Sequence, residues 1–361
     1  MNPAIVEKAH LLRQTLHSLA EPSGQEKRTK ACLINFLQQN TTLQIEDYGQ
    51  WFCALHFESG QAETIAFRAD MDALPLGSGA AHLCGHDGHS AALAGLALLA
   101  EGQTLGRNIL FIFQHAEEIG VGGKICAGAL KAHNASRVYA FHNIPGWPEG
   151  SVLLRHGTFA CASRGMCVAF KGAPSHAAYP ENGRNPGFAA ARFMSALPAL
   201  AAPGLYGGLT MATLVGAKIG EKAFGSAAGA AEVWLTLRAW ENQDLAALIK
   251  RLESAAHAEA KTDNIEAAFF YEDIFPATVN DEQTLRRLAG ICGRAGLPCL
   301  EIPEPFRWSE DFGYYGSQAK AVMVGLGAGE HWPQLHTEAY CFNDALLPPA
   351  LQLFWALATQ G

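Results

Sequence analysis

The sequence of 361 residues has no run of lysine and arginine and no basic stripe: 26 Lys and Arg stand against 34 Asp and Glu, a net charge of −8. Without that electrostatic footprint a nucleic-acid partner is not expected, and small molecules are. A long hydrophobic run is also lacking at the start. The stretch MNPAIVEKAHLLRQTLHSLAEPSG carries Glu7, Lys8, His10 and Arg13 among its apolar residues, so it reads as an amphipathic first helix, not as a signal peptide or a membrane span. Charged residues are few, 17% against 49% hydrophobic, which is the reverse of a disordered composition. No internal repeat or low-complexity segment occurs. The nine cysteines follow no framework spacing, which suits a reducing, cytoplasmic compartment and mostly buried thiols. The length predicts two domains.

What is present is an alternation of apolar strands and helices. Strands are expected at 51–57, 64–68, 108–113 and 137–141, with helices at 27–39, 90–101 and 123–133, an α/β layer with a mostly parallel or mixed sheet. The segment SAALAGLALLAEG is apolar all round, and a buried helix beginning at Ser90 is expected there. After Phe159 the order becomes strand (164–170), helix (186–195), strand (209–215), strand (231–238), helix (243–260), strand (265–271). This βαββαβ order predicts an inserted ferredoxin-like unit. The α/β pattern then resumes with a helix at 281–295, a strand at 321–325 and a helix at 343–359. The expected domains are therefore 1–162 with 274–361, interrupted by 163–273.

Several apolar runs end in polar groups. IAFRADMD ends in Asp70 and Asp72, ILFIFQHAEE in Glu117 and Glu118, and VYAFHN in His142, while HLCGHDGHS packs Cys84, His86, Asp87 and His89 into one turn. Singly, each has an ordinary reading: a capping aspartate, a solvated glutamate pair, a satisfied buried histidine, an inert thiol. Open α/β sheets bind ligands beyond the carboxyl ends of their strands, so the groups are expected to converge on one crevice. Thiolate, imidazole and carboxylate are the ligand types of zinc and similar ions. Adjacent glutamates make chemical sense if Glu118 is on a cation and Glu117, beside it, takes a proton from an attacking water. A metal with a free carboxylate points to hydrolysis.

RADMDALP, HLCGHDGHS, FIFQHAEEIGVGGKICAGAL, AFHNIPGWPEGSV, KGAPSHAAYPENGRNP, PATVND, SEDFGYY and LHTEAYCFND together resemble peptidase family M20, in the amidohydrolase branch that includes hippurate hydrolase, aminoacylase-like enzymes and the hydrolases of auxin–amino-acid conjugates. The resemblance implies a catalytic domain holding two divalent ions, zinc foremost and manganese, cobalt or nickel as alternatives. It also implies a smaller lid domain that makes a homodimer. On the matching positions Cys84, His86, Glu118, His142 and His336 would be metal ligands and Glu117 the general acid and base. His176 would polarise the scissile carbonyl across the dimer. Asp72 would orient a ligand, with Asp87, His89 and Asp311 as structural support. The expected reaction is cleavage of the amide of an N-acyl amino acid, a related small amide or a dipeptide by metal-activated water.

Departures from the family pattern gather around the substrate. The loop between Pro75 and His82 is short, Gly225 stands where an asparagine often holds the substrate, and Tyr179-Pro180-Glu181 replaces Met-Pro-His. Asn185, Tyr179 and Gly225 are the expected pocket residues. Two rivals remain: a non-catalytic metal- or small-molecule-binding member of the fold, and a hydrolase with Cys84 as nucleophile activated by His86 or His89.

Overall fold

The strands Thr64–Asp70 (TIAFRAD) and Asn108–Gln114 (NILFIFQ) are rich in β-branched and aromatic residues and are buried at every position, as strands covered on both faces must be. In the computed structural model, which describes residues 2–58 and 60–360, they lie at the centre of a mixed eight-stranded sheet. Its order is Gln44–Asp47, Phe52–His56, Asn108–Gln114, Thr64–Asp70, Ala135–Ile144, Lys320–Gly327, Val152–Leu154, Cys299–Glu301. The strands from Asn108–Gln114 to Lys320–Gly327 are mutually parallel, so their carboxyl ends share one edge.

Helices Pro3–Leu19, His86–Ala100, Glu282–Ala295 and Leu347–Gln360 share one hydrophobic core with this sheet. The helix His86–Ala100 is buried at nearly every position. Each buried leucine in it contributes about 1.5–3 kcal/mol, which outweighs the ~1 kcal/mol that a mid-helix glycine costs. Gly95 is therefore tolerated, and it is needed: a Cβ there would lie 2.5 Å from Leu351 Cδ2.

The chain divides into two compact units, Met1–Phe159 with Thr278–Pro305 and Glu310–Gly361, and Ala160–Ala277 with Phe306–Ser309, where 162/163 and 273/274 were expected. The second unit runs strand Ala162–Lys171, helix Gly187–Leu200, strands Thr210–Ile219 and Ala230–Ala239, helix Asn242–Thr262, strand Glu266–Phe275. Its four strands form one antiparallel sheet with Thr210–Ile219 and Glu266–Phe275 at the edges. In Ala230–Ala239 burial alternates, and Val233, Leu235 and Leu237 enter a core with Phe193, Leu248 and Leu252.

Two expectations need correction. The helix expected to begin at Ser90 begins at His86, because Gly85 takes φ +94° and turns the chain a residue earlier. Ser90 instead donates its hydroxyl to the Asp70 carbonyl at 2.5 Å. The helix expected over 123–133 is two short ones, Gly122–Cys126 and Gly128–Ala132, with Gly128 opening the second.

Among the described residues no helix is long and apolar enough to cross a membrane. All nine cysteines are free; five are buried and Cys341 alone is exposed.

Candidate metal centre

The carboxyl edge of the parallel strands brings the expected residues of the first unit together. Asp70 ends one strand, Glu117 and Glu118 follow Gln114 at the end of the next, and His142 lies near the end of a third. The turn after Gln114 is tight: Ala116 takes φ +49°, and its carbonyl accepts from the amides of Val121 and Gly122. HLCGHDGHS crosses the same edge, and Gly85 permits close approach, since a Cβ there would lie 2.4 Å from Asn143 Oδ1.

The donor atoms form overlapping groups, each with its members within 4.8 Å of one another: Cys84, His86 and His142; Cys84, Glu118 and His336; His86, Glu117 and Glu118. Cys84 Sγ lies 3.5 Å from His142 Nε2. His86 Nε2 lies 3.8 Å from Glu117 and 3.9 Å from Glu118, and His336 Nε2 lies 3.6 Å from Glu118. His336 has a side chain 53% exposed, sits at φ +63°, and is tied down by its amide donating to the Leu83 carbonyl at 2.8 Å.

One ring nitrogen of His86 is committed and the other is not. Nδ1 faces the Asp72 carbonyl at 3.0 Å and Asp72 Oδ1 at 3.2 Å, and Asp72 Oδ2 accepts from Ser23 Oγ and the Glu118 amide. Nε2 is buried without a partner, as is Glu118 Oε1, which it faces. Buried polar atoms are rarely left unpaired. With the ring proton on Nδ1, both orphans are lone-pair acceptors, and two acceptors facing each other beside a thiol and two further imidazoles fit a divalent cation of the zinc class.

Burial dominates the electrostatics of the site. Burial, with Glu118 adding to it, pushes the Cys84 thiol well above its ordinary value, so the sulfur is a neutral thiol unless a cation lies against it. This disfavours Cys84 as a free nucleophile. Burial pushes His142 well below its usual range, leaving the neutral imidazole that a metal requires. Burial raises Glu118 to about 7, and it raises Glu117 well above the carboxylate range with Glu310 and Glu118 adding. At His86 burial works downward, but Asp70, Cys84 and Asp72 outweigh it and raise the ring well above its ordinary value.

The supporting residues are more extensive than the sequence indicated. Asp87 accepts from the Gly88 amide and pairs with His17 Nδ1 at 2.8 Å. His89 bridges Asp70 Oδ1 at 2.7 Å and Asn143 Oδ1 at 2.5 Å, and Asn143 in turn donates to the Tyr340 hydroxyl. Arg68, fully buried, reaches Asp70, Glu310, Asp311 and Gln114. Tyr340, Asn143, Gln114 and Glu310 were not singled out in the sequence. The available signal was Arg68 itself, a charge following the apolar run Ile65–Phe67 within a buried strand. His82 is buried with neither ring nitrogen paired.

His176, Tyr179, Asn185 and Gly225 all belong to the second unit. His176 lies on the short strand Ser175–His176, exposed, with Nδ1 accepting from the Ala178 amide at 3.0 Å and its ring 5.8 Å from that of Tyr179. Gly225 is joined to this segment by its carbonyl, which accepts from Ala177 at 3.0 Å, and a Cβ there would meet nothing within 4 Å. Asn185 is occupied locally: its Oδ1 accepts from the Gly187 amide at the start of the helix Gly187–Leu200.

Comparison with known proteins accords with this centre. An N-acetyldiaminopimelate deacetylase of Oenococcus oeni is 29% identical over 351 residues, covering 91% of each chain. An uncharacterized hydrolase of Staphylococcus epidermidis is 28% identical over 371 residues, covering 95% of each. In fold the chain is similar to a putative aminohydrolase from methicillin-resistant Staphylococcus aureus (TM-score 0.89, 23% identity, 99% of each chain). It is also similar in fold to a dinuclear metal-binding peptidase of the M20 family from Bacillus subtilis (TM-score 0.85, 24% identity, 99% of this chain and 98% of that one). The profile of peptidase family M20/M25/M40 matches residues 66–360, and the chain belongs to that family.

Proposed function

We propose that this hydrolase cleaves the amide bond of an N-acyl amino acid, or of a related small amide or dipeptide, with Glu117 as general base. The observation that carries the reading is the division of labour between adjacent carboxylates. Both glutamates group with His86, but Glu118 also groups with Cys84 and His336, whereas Glu117 is hydrogen-bonded by the Asp311 amide at 3.4 Å. Cys84, His86, Glu118, His142 and His336 would hold two divalent ions, zinc foremost because of the thiolate, with manganese, cobalt or nickel as alternatives. When bound, such ions polarise a carbonyl and acidify water.

Glu117 accepts the proton of the attacking water and returns it to the leaving nitrogen. The raised proton affinity that burial and Glu310 give it suits both steps. Asp72 holds His86 in one orientation throughout. The deacetylase named among the relatives supports an acyl amino acid as substrate. On this reading the second unit is a ferredoxin-like lid and dimerisation domain, and His176 of one copy polarises the scissile carbonyl held by the other. The edge strand Thr210–Ile219, with Leu214, Val215 and Ile219 exposed, is the expected joining surface. The free thiols fit a cytoplasmic setting.

The test is a panel of N-acetyl and longer N-acyl amino acids, dipeptides and aryl amides, assayed with zinc, manganese, cobalt or nickel. Hydrolysis of acyl amino acids that stops on chelation is the expected result. No turnover of any member with any metal would overturn the reading and leave a binding protein.

A further inference from the structure

Arg68 is the one charged side chain in the buried run Thr64–Ala69, and every face of its guanidinium is used. Nη1 donates to Asp70 Oδ2 at 2.6 Å, Nη2 to Glu310 Oε1 and Asp311 Oδ1 at 2.9 Å each, and Nε to Gln114 Oε1 at 2.8 Å. Gln114 then donates through Nε2 to both oxygens of Asp311, at 2.7 and 2.9 Å, and the Gly123 amide adds a third donor at 2.6 Å. Glu310 also closes its own turn by accepting from the Phe312 amide at 3.1 Å. The segment 310–311 is thus fixed from two strands and a helix start. The close packing is strict, since a Cβ on Gly123 would lie 2.3 Å from the Asp311 carbonyl oxygen.

From this fixed segment the Asp311 amide points at Glu117 Oε1. On its other side Arg68 holds Asp70, which pins His89 at 2.7 Å. We infer that Arg68 is a positioning residue for Glu117: it clamps Glu310 and Asp311 so that the Asp311 main-chain N–H holds the Glu117 carboxylate in its working place beside the donor set. Lysine cannot substitute, because an ammonium offers no planar fork to serve Asp70, Glu310, Asp311 and Gln114 together.

The inference rests on the reading of Glu117 as the base, and the experiment separates the two. Arg68→Lys and the isosteric Asp311→Asn are purified with metal content matched to wild type, each with and without Glu117→Gln. Per folded, metal-loaded chain, kcat is expected to fall at least tenfold with KM within threefold. Neither variant should lower the activity of Glu117→Gln further, because residues acting through one group are not additive. Crystal structures of the two variants should show the Glu117 carboxylate turned away from the Asp311 amide, a readout that does not depend on any substrate being turned over. An unmoved Glu117 would overturn the inference. Additive losses, or failure of both variants to take up metal to the wild-type content, would also overturn it and assign Arg68 to the donor cradle. If wild type itself turns over nothing, the functional reading fails, and the position of Glu117 still decides the role of Arg68.

Discussion

His86 separates the work of its two ring nitrogens, and that gives the sharpest expectations at the residue scale. With Nδ1 held by Asp72 and Nε2 buried without a protein partner, His86→Ala removes a donor, whereas Asp72→Ala leaves every donor in place and takes away the carboxylate that steadies the His86 ring and the Glu118 amide. Elemental analysis after gel filtration should show metal lost from His86→Ala and from Cys84→Ala. Metal titration of Asp72→Ala should show affinity lower by about 10–100-fold. Unchanged metal content in the first two variants would remove the ligand assignment. A second expectation concerns pH. The hydrogen bond to Asp87 raises His17 above its ordinary 6.5, against an opposing effect of burial. A folded-state value above the unfolded one means stability that is fully present below about pH 6.5 and lost as pH rises through the raised value. The midpoint of urea unfolding of wild type should therefore exceed that of His17→Gln at pH 5.5 and approach it by pH 8.5. A gap that grows with pH would contradict the pairing.

At the scale of the element, the turn from Leu83 into the helix His86–Ala100 decides whether the donors meet. Gly85 is doubly constrained, by φ +94° and by Asn143 Oδ1 at 2.4 Å from where a Cβ would stand. Gly85→Ala should lose about 1–3 kcal/mol of stability from steric strain, measured by urea unfolding, together with weaker metal binding; a variant as stable as wild type would show that the turn relaxes freely. Much of this region was legible in the sequence. The strands that carry Asp70 and His142 or lead into Glu117 announce themselves by apolar runs ending in polar groups, and the resemblance supplied His336, which no periodicity marks. The short strands Gln44–Asp47, Val152–Leu154 and Cys299–Glu301 were not legible, because three or four residues carry no readable period. Nor was the chain of contacts from His89 through Asn143 to Tyr340, or the convergence of Glu310 and Gln114 on Arg68. Those contacts join segments up to 242 residues apart and exist only once the sheet has formed. The start of the helix at His86 was missed because serine is the commoner capping residue, while here a left-handed glycine sets the turn.

For the whole molecule, the second unit exposes Leu214, Val215 and Ile219 along an edge strand whose outer side pairs with no other strand of its sheet. Such an edge is prone to pairing with another chain. Light scattering on a sizing column should give the mass of two chains, and Val215→Lys should shift it toward one; a wild-type monomer at micromolar concentration would remove the proposed role of His176 across a dimer. Family membership over residues 66–360 sets the reaction at hydrolysis, and the proposed base is Glu117, which the Asp311 amide holds. The most direct test is the rate of N-acyl amino acid hydrolysis by Glu117→Gln, prepared with the same metal content as wild type. The account predicts a fall in kcat of about 10²–10⁴-fold with substrate still bound; a variant that keeps nearly full activity would contradict it.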